Sequence, residues 1–212
     1  KIRQELKDMT KLRFLTTAAA IGLMTGLVAS SAQATQQDVD ASIVTRIAVT
    51  ITKNADMDFG TVDYDVATHD ALINLGTDGN ITFGGAATGI TSSGGTPNAG
   101  DLDVTGDGAT TVDISCETGG VLEDNGVGVT TLTLQATEIS VNTAGVGAAF
   151  GAGTACAGIG TAVATSDLSA NPTTEILIGG QIDASAQGIG VGATYDTTTG
   201  AGDPVTVEVV YQ

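Results

Sequence analysis

The sequence reads as an all-β protein and, within that class, as an antiparallel sandwich. Three observations point there. Thr, Val and Ile are abundant, while helix formers such as Leu, Glu, Lys and Arg are sparse. Short apolar runs are punctuated by Gly and Asp, with 30 Gly in 212 residues. No long stretch holds a 3.6-residue apolar period, whereas strong period-two alternation occurs near Val39 and again at the C-terminus.

The first segment reads as an export address. Met9 resembles a translation start, with residues 1–8 upstream of it. Lys11 and Arg13 precede an apolar run from Phe14 to Val28, and Ala32-Gln33-Ala34 offers small residues to a signal peptidase. The apolar run is shorter than the roughly 20 residues needed to cross a bilayer. Residues 1–34 are therefore expected to be a secretory signal, cleaved after Ala34. The expected destination is the outside or the cell surface of a bacterium, with no membrane attachment after cleavage.

Residues 35–52 follow as an extended segment, and 53–212 as the sandwich. Val39, Ala41, Ile43, Ile47, Val49 and Ile51 occupy odd positions. Asp38, Asp40, Arg46 and Thr50 lie among the even ones. One face is thus apolar and the other polar. Met57–Val62 reads as a short strand with a Gly break, and Asn80–Phe83 as another. Leu102–Val104 and Thr110–Ile114 flank Thr105-Gly106-Asp107-Gly108, which has the chemistry of an Asp-Gly hairpin. Val127–Leu134 and Glu138–Val141 read as two further strands. Ala144–Thr165 is poor in bulky side chains and reads as a loop held by Cys156. Glu175–Ile178 is a strand halted by Gly179-Gly180, and the last strand starts at Pro204 and runs to Tyr211.

Charge and composition exclude several functions. The chain has 24 acids against 7 Lys and Arg, for a net charge of -17. Residues 35–212 carry 22 acids against Arg46 and Lys53 alone. Duplex nucleic acid and anionic membranes both demand the opposite sign. The Cys and His ligands of a zinc site are lacking. A Ser-His or Cys-His nucleophile would have to use His69, the single imidazole, which lies in a polar turn. Paired carboxylates for glycoside hydrolysis lack aromatic platforms beside them. No enzyme activity and no cofactor are expected.

Cys116 and Cys156 form an even pair in an exported chain, which reads as one disulfide. It would close a loop of roughly 40 residues, worth about 4 kcal/mol in the chain-entropy description. Asp101, Asp103 and Asp107 beside Gly108 are calcium candidates, although they lack the later bidentate Glu of an EF-hand. The same acids suit a solvated turn. Asp56 with Asp58, and Asp63 with Asp65, share the defect.

The run Ile47–Val62 resembles the opening of a family of secreted bacterial domains of unknown function, itself similar to pilin-like, immunoglobulin-type sandwiches. Leu102-Asp103-Val104-Thr105-Gly106, Gly179-Gly180 and Val205–Tyr211 fill the family's later motifs in the same order. The Cys pair and the Gly/Ala stretch depart from its pattern. The resemblance implies export and an immunoglobulin-like sandwich, and supplies no activity.

An expectation of assembly follows from residues 35–51. They exceed the usual strand length of roughly five or six residues. The surplus suits strand addition to the sheet edge of another copy, with Val39, Ala41, Ile43 and Ile47 as contacts. Repeated head to tail, such contacts make a filament of identical subunits. The same alternation also suits a first strand within the chain's own sandwich. The alternative function is a monomeric surface binding module or adhesin, supported by calcium near Asp101–Asp107.

Overall fold

The computed structural model describes residues 46–64, 70–108, 110–124, 130–142, 147–168, 173–184, 193–197 and 202–212. Among them the regular structure is entirely β. In chain order the strands are β1 (Thr50–Ala55), β2 (Thr61–Tyr64), β3 (Asp70–Leu75), β4 (Ile81–Thr88) and β5 (Ile90–Gly94). Then come β6 (Gly100–Thr105), β7 (Thr111–Cys116), β8 (Gly120–Asp124), β9 (Thr131–Asn142) and β10 (Thr154–Ala155). The last four are β11 (Ala164–Asp167), β12 (Thr173–Asp183), β13 (Tyr195–Asp196) and β14 (Val207–Tyr211). The strand pairs are antiparallel.

Two long strands organise the largest sheet. β12 and β9 pair along most of their length, from Glu175↔Asn142 to Ile182↔Leu134. The free edge of β12 is shared end to end by β6, against Thr173–Ile178, and β3, against Gly180–Asp183. The free edge of β9 is shared by β8 and β10. A three-stranded sheet, β11-β7-β14, and a two-stranded one, β2-β5, complete the set.

Each smaller sheet contributes to its own core against the large one. Val112 and Ile114 of β7 pack with Val104, Ile139, Ile176 and Ile178, joined by Val207, Val209 and Tyr211. Farther along β9 and β12, Leu132, Leu134 and Ile182 pack with Ile73 and Ile90, joined by Val62 and Tyr64 of β2. Each such aliphatic side chain contributes roughly 1.5–3 kcal/mol by leaving water. Gly180 stands between the two cores on β12. A Cβ there would meet Leu134 Cδ2 at 2.8 Å and Met57 Sδ at 3.4 Å, so its missing side chain lets those two fill the waist.

A bulge keeps both cores on one face of β9. Ile139 and Val141 are odd, whereas Leu132 and Leu134 are even. The register steps from Gln181↔Ala136 to Ile182↔Leu134, leaving Gln135 as the extra residue. One extra residue reverses the phase of alternation and returns the leucines to the core side.

Several sequence expectations change. The two strands expected at 127–134 and 138–141 are one strand, β9, interrupted in phase rather than in space; residues 125–129 lie outside the described set. Gly179-Gly180 does not halt β12, which runs through to Asp183. A Cβ on Gly179 would lie 2.4 Å from the Leu75 carbonyl oxygen, so the glycine serves close packing. The Asp107-Gly108 turn does not close a hairpin, because β6 pairs with β1 and β12 while β7 pairs with β11 and β14. It carries the chain from one sheet to the other. The expected loop 144–165 contains β10 and the start of β11. Within the alternating segment 39–51, residues 39–45 lie outside the described set, 46–49 precede the first strand, and Thr50–Thr52 pair with β6. The last strand starts at Val207, after Asp203 bridges to Val121.

Candidate functional site

Arg46 and Ile47 lie beside the end of β14. The Tyr211 hydroxyl donates to the Ile47 carbonyl oxygen at 2.6 Å and accepts from the Asp107 N–H at 2.7 Å. Arg46 Nη1 donates to the Gln212 carbonyl oxygen at 3.3 Å, and its guanidinium lies 5.6 Å from the Tyr211 ring centroid. That distance suits a cation–π contact. Gln212 Nε2 in turn donates to Asp113 Oδ1 at 2.6 Å. Gly106 makes this corner possible, since a Cβ there would lie 2.6 Å from the tyrosine oxygen.

Around this corner the apolar stripe outruns its core. Val49 is half-buried against the first core. Ile47, the next residue of the same phase, is 68% exposed. Ile51 is 38% exposed and Val210 is 47% exposed. Ile47 is thus the one expected interface residue within the described set. Val39, Ala41 and Ile43 lie outside it.

The edges of the two sheets differ here. β1 carries Lys53, in an ion pair with Asp56, and a bulge between Lys53 and Ala55. Both features discourage further pairing. β14 has neither. The Gln212 N–H donates to the Thr111 oxygen, and the Glu117 N–H to the Thr206 oxygen. By antiparallel alternation the even residues of β14 therefore bond to β7. Val207, Val209 and Tyr211 turn their N–H and C=O groups to the other side, where no strand pairs with β14 among the described residues.

Cys116 and Cys156 are joined, with Cα atoms 5.1 Å apart, as the sequence implied. The acids expected as calcium ligands do not converge. Asp101 and Asp103 project from β6 on the face opposite Leu102 and Val104. Asp101 Oδ1 accepts from Asn54 Nδ2 at 3.4 Å. Asp107 follows Gly106 at the tyrosine corner. Among the described residues, no three His, Cys, Asp or Glu side chains group as a metal site. Asp58 accepts from the Gly60 N–H at 2.7 Å in a turn. Asp65 and His69 lie outside the described residues.

Elsewhere, an open groove of about 740 Å³ is lined by Glu117, Gly119, Gly120, Thr133, Gln135 and Ile159, among others. Glu117 Oε2 already accepts the Thr206 N–H at 2.8 Å. On the outer face of β9, Glu138 is buried, 4% exposed, beneath residues 151–153. Its Oε2 accepts from the Gly151 N–H at 2.8 Å, and Oε1 has no partner among the described residues. Burial raises its pKa, the Gly151 and Gly153 N–H groups oppose the rise, and the nearby Asp78 charge adds to it.

Glu138 is not singled out by the sequence, where it only opens an expected strand. Tyr211 carries a signal only through the family's Tyr-containing last strand. Gly106 carries a signal only through the Val-Thr-Gly motif.

No curated protein and no solved structure matches the chain. A family model, described as a domain of unknown function (DUF4402), matches residues 49–203, from the residue ahead of β1 to the bridge before β14. By a match over most of its length, the chain belongs to the DUF4402 family.

Proposed function

We propose that the protein is a structural subunit of a secreted surface filament, pilus-like in architecture and joined head to tail by N-terminal strands. Residues 1–34 direct export, and the exported chain begins at Thr35 with the donor segment. The single observation that supports this reading is the apolar stripe that continues past its own core, with Ile47 68% exposed at the point of exit. A stripe of alternating Val39, Ala41 and Ile43 ahead of it has the pattern a foreign sheet edge accepts. The domain's role is then to present an edge, and no reaction is needed.

The test is negative-stain electron microscopy of the full chain, secreted with its own leader, beside the same chain lacking residues 35–45. Filaments only with the intact segment are expected. Dispersed folded particles in both samples, across protein concentration and salt, overturn the reading in favour of a monomeric surface binding module.

A further inference from the structure

We infer that the edge of β14 is the acceptor, and that it takes residues 39–43 of a second copy running antiparallel to it. This rests on the assembly reading above and names the surface that reading leaves open. Among the described residues the edge is unprotected: five residues long, without Lys, Pro or bulge, and with Val207, Val209 and Tyr211 half-buried behind it. An added strand would complete their burial and satisfy their outward N–H and C=O groups.

Charge selects the direction, and direction selects the copy. The donor carries Asp38 and Asp40 on its polar phase. The Gln212 end of β14 holds Arg46, one of only two cations in residues 35–212, and Asp113, whose carboxylate is already bonded to Gln212 Nε2 at 2.6 Å. The opposite end holds Glu208 and, bonded to the Thr206 N–H, Glu117. An antiparallel donor sets Asp38 at the Gln212 end near Arg46, with Asp40 one step inward, level with Val210. A parallel donor sets them beside the two glutamates. Residue 45 is bonded to Arg46, which lies at the Gln212 end, so connectivity alone would oblige a same-chain strand along β14 to run parallel. A second copy has no such restriction. Antiparallel pairing is also slightly the more stable per residue. Phase then sets Ile43, Ala41 and Val39 on the core side with Val207, Val209 and Tyr211, and Asp40 on the outer side level with Val210.

The test mixes two chains, one carrying Asp40→Cys and the other Val210→Cys, and oxidises them mildly. Both positions lie on the polar phase, so the core is untouched. A disulfide-linked pair on a non-reducing gel is expected, with none when Val210→Cys is replaced by Ile159→Cys. Absence of the link, or equal linking to Ile159→Cys, overturns the inference. So does a double variant that closes Asp40→Cys onto Val210→Cys within one chain. Electron microscopy of the same samples separates the two failures. Filaments without the link leave the assembly reading standing and overturn only the β14 acceptor. Absence of both overturns both.

Discussion

Glu138 illustrates how a single residue can couple the fold to pH. Its carboxyl is buried, so its charged form is disfavoured, and two glycine N–H groups offset only part of that cost. The folded state therefore binds the proton more tightly than the unfolded chain does. The stability this proton provides is complete below the ordinary value near 4.5 and is lost as pH rises through the higher folded value. Glu138→Gln keeps an acceptor oxygen for the Gly151 N–H and removes the charge. The variant's melting temperature is expected to gain on the parent's between pH 4 and pH 7. A gap that narrows over that range would contradict the assignment. Nothing in the sequence announces this residue, because burial on the outer face of β9 depends on residues 151–153 folding back over it.

At the scale of elements, Gly179 and Gly180 do different work. A methyl group at Gly179 meets backbone: the Leu75 oxygen at 2.4 Å and the Thr77 nitrogen at 3.0 Å. At Gly180 it meets the side-chain end of Leu134, which can turn aside. Gly179→Ala is expected to cost about 1–3 kcal/mol through forced backbone shifts. Gly180→Ala should cost less. Urea midpoints at unchanged slope measure the difference. The pair also shows where sequence reasoning reaches its limit. The apolar run Glu175–Ile178 identifies β12, and alternation identifies β14, because a half-buried strand must alternate. It misread Gly-Gly as a stop, since glycine chosen for close approach looks the same as glycine chosen for a turn. It splits β9 over residues 135–137, since a bulge reverses phase just as a break does. β3, β5 and β8 escaped notice, being short and mixed in polarity. The Asp107-Gly108 turn kept its local chemistry, yet only the tertiary pairing tells a hairpin from a crossing between sheets.

For the whole molecule, the disulfide and the candidate surface stand at different places in the chain's logic. Cys116–Cys156 was legible from parity and compartment alone. Reducing it is expected to remove about 4 kcal/mol. For a domain of this size that corresponds to a fall in melting temperature on the order of 10 °C. Scanning calorimetry with and without reductant measures it, and an unchanged transition would deny the bond a stabilising role. The proposed assembly surface is half legible in the sequence. The donor pattern lies open in Val39–Ile47, but the acceptor emerges only when β14 is seen as an edge.

The tyrosine corner has a mechanical consequence. In a polymer joined as proposed, tension enters each subunit through β14 and leaves through Arg46 and Ile47. Tyr211 and Gln212 hold those two points within hydrogen-bonding distance of one another. The load path through a subunit is then only a few residues long and bypasses both cores and the disulfide. Such a thread would yield at its clasps before its beads unravel, and a stretched filament would part into folded subunits able to join again.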